Sequence, residues 1–194
     1  MNTELIQQFE ELLLSTNREG IDKLIEYIRK TDFYTAPAST RFHSSYEGGL
    51  LQHSINVYKM LESKSRTDTW RDILNNSNTI IIVSLLHDLC KANFYAIEMR
   101  NKKNEAGKWE QVPFYTIDDK SPYGHGEKSV MMLMEFIKLT AEEKYAIRWH
   151  MGFSEPKENY SYIGKAMEKF PLVCALYEAD LEATHLLESG DSDG

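Results

Sequence analysis

Apolar residues recur every three or four positions along most of the chain, and this period is typical of amphipathic helices. Residues 1–31 carry two such stripes, separated by a polar break at residues 17–20, which predicts two N-terminal helices that serve packing. A Thr-x-x-Glu sequence at residues 140–143 has the form of a helix capping box. Five further helices are predicted, beginning near Leu50, Ile80, Gly124, Thr140 and Phe170, with the last running to about Glu188.

The helical rhythm stops between residues 93 and 120. Two aromatic-rich segments, 94–99 and 109–117, flank a polar, turn-prone stretch, which predicts a β-hairpin inserted into a helical domain. The sequence leaves open whether this hairpin is peripheral or forms a flap over a site. Residues 189–194 are expected to be a frayed tail. The predicted fold class is therefore mostly all-α, a helical bundle with an inserted β-hairpin.

Composition narrows the function classes. The chain has 194 residues, 42% hydrophobic and 27% charged, which suits one soluble globular domain. Its net charge of -8 gives no electrostatic footprint for polyanions, so binding of extended nucleic acid is not expected. No segment approaches the ~18 apolar residues of a membrane span, and the N-terminus lacks a signal-peptide pattern, so a cytoplasmic protein is expected. Cys90 and Cys174 lie in apolar stretches and are interpreted as small buried residues.

The strongest chemical signal is an adjacent His87–Asp88 pair followed by Lys91, directly after an apolar run at residues 80–83. In a continuous helix, His87 and Lys91 would share one face with Asp88 beside them. A divalent metal would bind the imidazole and the carboxylate, and a phosphate would satisfy the ammonium group. The alternative is a capped, half-exposed polar end of a helix.

Further histidines and one aspartate make a metal site the preferred interpretation. A single histidine on a helix is more often a core residue than a ligand, and Asp180 points either inward or to solvent. Nitrogen and carboxylate ligands without thiolates suit manganese, iron, cobalt, nickel or magnesium better than structural zinc. His185 has no motif around it and is expected at the surface. The candidate ligands, on different predicted helices apart from the adjacent pair, are His53, His87, Asp88, His125, His150 and Asp180.

This ordered set resembles the HD superfamily of metal-dependent phosphohydrolases, named after its His-Asp pair. The resemblance implies that His53, His87, Asp88 and Asp180 bind a first divalent metal. It also implies that His125 and His150 match positions that hold a second ion in some members of the family. Asp88 would then bridge the two ions. One or two ions are therefore expected.

More narrowly, residues 42–53, Gly124–His125, His150-x-Gly152 and residues 178–183 look like the HD domain of YhaM-type 3′–5′ exoribonucleases. The resemblance covers residues 41–185 of a single HD-type domain spanning 1–194. Two features depart from that branch: Met151 stands where the branch usually has a second histidine, and its nucleic-acid-binding OB module is absent from this sequence.

The resemblance implies metal-assisted hydrolysis of a phosphate mono- or diester, in which Asp88 and Lys91 are catalytic. Lys91, Arg41 and His43 are the candidates for binding substrate phosphate. The expected substrate is a small phosphorylated molecule, a nucleotide in the first instance. The alternatives are a 3′–5′ exonuclease-like phosphodiesterase acting on short nucleic acid, and a non-catalytic module that binds metal or nucleotide.

Overall fold

The computed structural model describes residues 2–40 and 44–188. Within them lie eight α-helices and one two-stranded antiparallel sheet, which confirms the mostly helical bundle with an inserted hairpin. The helices are α1 Thr3–Ser15, α2 Ile21–Ile28, α3 Gly49–Lys64, α4 Ser77–Leu86, α5 His125–Met134, α6 Ala141–Trp149, α7 Tyr160–Lys169 and α8 Leu172–Glu182. The strands are β1 Tyr95–Lys103 and β2 Trp109–Ile117. Short 3₁₀ turns cover Leu89–Lys91, Gly152–Ser154 and Lys157–Asn159, and a π-helical turn covers Ala183–Leu187.

Helix α4 is the centre of the bundle. All residues from Thr79 to Leu86 are buried, so this helix has no solvent-facing side. A helix that is apolar all round must be covered by its neighbours, and α1, α3 and α6 pack against it. The C-terminal end of α4 therefore delivers His87 directly into the protein interior.

The two N-terminal helices contribute packing, as expected. Phe9 and Leu13 of α1 and Ile21, Leu24 and Ile28 of α2 are buried in the common core. None of these side chains carries a reactive group, so these helices stabilise the bundle and leave the chemistry to the later elements.

The predicted capping box is present at the start of α6. The Thr140 hydroxyl accepts a hydrogen bond from the Glu143 backbone N–H at 3.2 Å, and the Glu143 carboxylate accepts one from the Thr140 backbone N–H at 2.8 Å. Glu143 also forms two 2.7 Å hydrogen bonds with the guanidinium of Arg18 and accepts one from the Thr79 hydroxyl. The box therefore also ties α6 to the α1–α2 connection and to α4.

The inserted hairpin pairs β1 with β2 from Tyr95–Ile117 to Lys103–Trp109. Its base is attached to the body by the Tyr95 hydroxyl, which donates to the Ala38 carbonyl at 3.1 Å. Further out, Ile97, Met99 and Trp109 are all more than half exposed, so the hairpin projects from the bundle.

Two predicted helix boundaries are wrong. Helix α4 does not continue through Lys91: it ends at Leu86, and after Asp88 (φ -102°, ψ 19°) the chain tightens into a 3₁₀ turn. The premise that His87 and Lys91 share one face of a continuous α-helix therefore fails. The last helix starts at Leu172 and gives way after Glu182 to the π-helical turn, which carries Glu188 back into the interior. Among the described helices, none has the length and apolar character that crossing a bilayer requires.

Candidate metal centre

Five segments of the chain bring the six predicted ligands together in the interior. His53 lies in α3, His87 and Asp88 follow α4, His125 begins α5, His150 follows α6, and Asp180 lies in α8. The Asp88 carboxylate is at the middle of the group. Its Oδ1 atom is 2.8 Å from His125 Nε2 and 3.5 Å from His150 Nε2, and its Oδ2 atom is 3.5 Å from His87 Nε2 and 3.8 Å from His53 Nε2. Asp180 Oδ1 lies 3.1 Å from His53 Nε2.

The remaining ring nitrogen of each histidine is held on the side away from Asp88. His87 Nδ1 lies 2.8 Å from the Ser84 carbonyl, and His150 Nδ1 lies 2.7 Å from the Ile147 carbonyl. Carbonyl oxygens only accept, so both rings carry their proton on Nδ1 and present the Nε2 lone pair to the centre. This is the orientation that metal-binding imidazoles take when an outer partner fixes their tautomer.

Glu188 is an outer partner that the sequence did not indicate. Its Oε1 atom lies 3.1 Å from His53 Nδ1. Ser44 and Asn56 fix the carboxylate in turn, donating to it at 2.9 and 3.0 Å. Glu188 belongs to no motif and directly precedes the expected frayed tail, so no sequence signal distinguished it. Cys90 was likewise interpreted only as a packing residue, but its Sγ atom lies 3.2 Å from His125 Nδ1.

Nε2 of His87 and Nε2 of His150 are buried without a hydrogen-bond partner among the described residues. His125 Nε2 and Asp88 Oδ1 lie 2.8 Å apart as an ion pair but lack hydrogen-bond geometry, so these two buried atoms also make no hydrogen bond. Unsatisfied buried polar atoms are costly and rare, and four in one cluster indicate a ligand-binding site. Three overlapping groups have potential ligand atoms within 4.8 Å of one another. These groups are His53, His87 and Asp180; His87, Asp88 and His150; and Asp88, Cys90 and His125. The donor set fits a divalent cation.

Burial and charge set the protonation of the histidines. Burial lowers the pKa of His87 to about 3, so this imidazole is neutral at pH 7. Burial likewise lowers the pKa of His125, although Asp88 opposes the effect. For His53, burial disfavours the charged form, but hydrogen bonds to Asp180 and Glu188 outweigh it and raise the pKa to about 10.

The carboxylates at the centre are ionised. Burial alone would raise the pKa of Asp88, but Lys91 and the surrounding imidazoles lower it well below its usual range. The His53 imidazole has the same effect on Asp180, whose pKa is also lowered despite burial. Burial would lower the pKa of His150, but the same two carboxylates help to raise it, and Asp180 contributes to the raised pKa of His53, because their negative charge favours positive charge at the centre. This charge would equally favour a bound cation.

Of the three predicted substrate-binding residues, only Lys91 lies within the described residues. The Lys91 ammonium lies 2.7 Å from Asp88 Oδ2 and donates to the Ala38 carbonyl at 2.8 Å, which places its charge at the edge of the centre. Arg41 and His43 lie outside the described residues. His185, expected at the surface, is exposed.

One comparison with known proteins gives a partial match. Over 86 residues the chain is 31% identical to dihydroneopterin 2′,3′-cyclic phosphate phosphodiesterase of Methanocaldococcus jannaschii. The match covers 43% of this chain and 31% of that enzyme, so the chain spans about a third of the length of the curated relative it matches. No protein-family model matches the chain, and no solved structure matches it. The narrower resemblance to YhaM-type exoribonucleases stays a prediction.

Proposed function

We propose that this protein is a metal-dependent phosphohydrolase of the HD type that acts on a phosphate ester of a small molecule, a nucleotide in the first instance. The observation that supports this proposal best is the convergence of four imidazole Nε2 atoms on Asp88, one of which, that of His53, also contacts the Asp180 carboxylate. Four buried atoms of that group make no hydrogen bond among the described residues, as expected of groups that bind an ion.

The ligands divide into two sets that share Asp88. His53, His87, Asp88 and Asp180 would hold one divalent ion, and Asp88, His125 and His150 would hold a second. Divalent metal ions act as Lewis acids that acidify bound water and polarise phosphoryl oxygens, and this is the chemistry that ions here would supply. Carboxylate and imidazole ligands without a bound thiolate favour manganese, iron, cobalt, nickel or magnesium.

The protein's own groups prepare the site for an anionic substrate. Lys91 carries the charge that would offset the phosphoryl oxygens as negative charge develops on them. Its 2.7 Å contact with Asp88 and its hydrogen bond to the Ala38 carbonyl fix the ammonium beside the ligands. Burial of His53, His87, Asp88 and His150 keeps bulk water from the ligand atoms, which strengthens electrostatic interactions there.

The substrate class draws support from two sources. The matched relative is named for a phosphodiesterase that acts on a cyclic phosphate of a small heterocyclic compound. The net charge of -8 opposes long polyanionic substrates such as nucleic acids. Both favour a small phosphate ester over the exonuclease-like alternative.

The decisive experiment combines metal content with hydrolysis. Metal is measured by plasma mass spectrometry in protein purified without chelator, for wild type, Asp88→Asn and the exposed control Asp72→Asn. Each protein is then assayed with 2′,3′-cyclic nucleotides and bis(p-nitrophenyl) phosphate. We expect bound metal and hydrolysis in wild type and Asp72→Asn, and loss of both in Asp88→Asn.

Other outcomes distinguish the alternatives. Metal retained without hydrolysis of any phosphate ester would favour the non-catalytic binding module. Absence of metal, even after reconstitution with manganese, iron or nickel, would refute the phosphohydrolase.

A further inference from the structure

A cavity of about 630 Å³ lies on the outer side of the bundle between α5, α6 and α7. None of the six candidate metal ligands lines it. Ala146 and Ile147 of α6, and His150 directly after it, are buried, whereas Tyr145 and Arg148 of α6 line the cavity. The helix itself thus separates the cavity from the metal centre.

Aromatic side chains form much of the wall. Tyr123 and Tyr162 are 61% and 63% exposed, a degree of exposure that leaves their ring faces open to a ligand. Tyr145 packs on Phe170 with ring centroids 4.9 Å apart, which fixes its orientation. Trp149 completes the aromatic wall and is only partly exposed. Open, oriented rings suit stacking with another planar group.

Arg148 makes part of this wall rigid. Its guanidinium carbon lies 3.7 Å above the centroid of the Trp149 ring. The same guanidinium pairs with Glu127, which also lines the cavity, and with Glu155 at 2.9 Å. A ligand would therefore meet a preformed surface, which lowers the entropic cost of binding.

The charge of the cavity is opposite to that of the protein. With the Arg148–Glu127 pair set aside, the other charged lining residues are Lys144, Lys165 and Lys169. None of these lysines makes an ion pair within the part of the chain that the structure describes. Three unneutralised ammonium groups in one cavity of a protein with a net charge of -8 form a local site for an anion.

We propose that this cavity is a second ligand-binding site, for a planar aromatic anion of nucleotide size. Its volume lies within the roughly 300–1,000 Å³ of small-molecule pockets. The rings bind the planar group and the lysines bind the phosphate or other anionic group.

The test is calorimetric titration of the whole chain in buffer containing EDTA, so that binding does not depend on a metal. The probes are ATP, adenosine, which lacks the charge, and tripolyphosphate, which lacks the ring. We expect saturable binding of ATP and at least tenfold weaker binding of the other two. The ATP dissociation constant is expected to rise at least tenfold in Lys144→Gln/Lys165→Gln and in Tyr162→Ala.

Two variants control for charge and for the other site. Lys59→Gln removes an exposed lysine from α3, and Asp88→Asn alters the metal centre; both are expected to bind ATP as wild type does. Loss of binding in Asp88→Asn, or wild-type binding in the cavity variants, would overturn the proposal by placing ATP elsewhere. Absence of saturable ATP binding would also overturn it. Concentration-dependent dimerisation that is abolished in Tyr162→Ala would overturn the proposal as well, because the cavity would then bind a second copy of the chain. Because the titration uses no metal, a lack of ATP binding to the cavity would leave the phosphohydrolase proposal untouched, and the two proposals can fail separately.

Discussion

The imidazole of His53 and the carboxylate of Glu188 face each other in the protein interior, with Nδ1 of His53 3.1 Å from Oε1 of Glu188. On the other side of the same ring, Nε2 lies 3.1 Å from Asp180. A carboxylate behind a ligating imidazole fixes the ring orientation and increases its basicity as a ligand. Glu188 is therefore a positioning residue for His53.

Replacing Glu188 by Gln is expected to weaken metal binding about 10–100-fold, because the amide keeps the shape but loses the charge that orients His53. Competition with a chromophoric chelator measures the affinity. Glu168→Gln, at an exposed position of α7, is the matched control and should bind metal as wild type does. Equal affinity in all three proteins would show that Glu188 serves only the fold.

The two ligand sets predict a stoichiometry. Wild type is expected to bind two equivalents of divalent metal, because the proposed ligands form one set of four and one set of three residues that share Asp88. His125→Ala removes a ligand of the second set alone, so one equivalent should remain, whereas Asp88→Asn should lose both. Plasma mass spectrometry on protein of known concentration measures the equivalents. Two equivalents retained in His125→Ala would contradict this division.

The Arg18–Glu143 pair should make stability depend on pH. Burial raises the pKa of Glu143, but the hydrogen bonds from Arg18 outweigh it and leave the pKa below the usual 4.5. Because the pKa of Glu143 is lower in the folded state, its ionised carboxylate stabilises the protein at any pH above the pKa of the unfolded chain. This contribution is lost as the pH falls through the pKa of the folded state.

Glu143→Gln is accordingly expected to lower the free energy of unfolding by about 1–3 kcal/mol at pH 7, since it leaves the partly buried Arg18 guanidinium poorly paired. The difference from wild type should shrink as the pH falls below 4.5. Urea denaturation at pH 7 and pH 4 measures both values. Glu142→Gln is the control, because burial raises the pKa of this neighbour and its neutralisation should cost nothing at pH 7. A pH-independent loss in Glu143→Gln would refute the electrostatic explanation.

Two glycines in helices should respond oppositely to Ala. A Cβ atom at Gly126 would lie 2.3 Å from the Arg148 carbonyl oxygen and 2.8 Å from that of Ile147, so α5 would have to move away from α6. We expect Gly126→Ala to destabilise the protein by about 1–3 kcal/mol, as overpacking does. At Gly164 in α7 a Cβ would meet nothing within 4 Å, and Ala should stabilise the helix by about 0.5–1 kcal/mol. Thermal melts compare the two variants with wild type. A Gly126→Ala variant as stable as wild type would contradict the close contact between α5 and α6.

Local patterns were sufficient for much of the fold. The period of the apolar residues located seven of the eight described α-helices but missed α7, which lies in a stretch interpreted as a polar connection. The Thr140–Glu143 spacing identified a capping box that is present. These features depend on neighbours within a few positions, which a sequence displays directly. The end of α4 at Leu86 was missed because no glycine or proline marks it.

The sequence predicted the candidate metal ligands but not the groups that hold their side chains in position. The identities and order of the His and Asp residues indicated the candidate ligands, and the structure brings all six together. The partners of their outer nitrogens are the Ser84 and Ile147 carbonyls, the Cys90 sulfur and the Glu188 carboxylate. Carbonyls occur at every residue, and Glu188 reaches His53 only through tertiary folding, so neither leaves a signal in the sequence.

The ligands come from five segments spread between residues 53 and 180, and this spread links metal supply to folding. An ion held by all of them would join α3, α5, α6 and α8 to the end of α4, and unfolding would require its release. Stability would then rise with the logarithm of the free metal concentration, by about 2.7 kcal/mol at a hundredfold excess over the dissociation constant. A low supply of metal is accordingly expected to shorten the lifetime of the protein in the cell, in addition to removing any activity that depends on the metal.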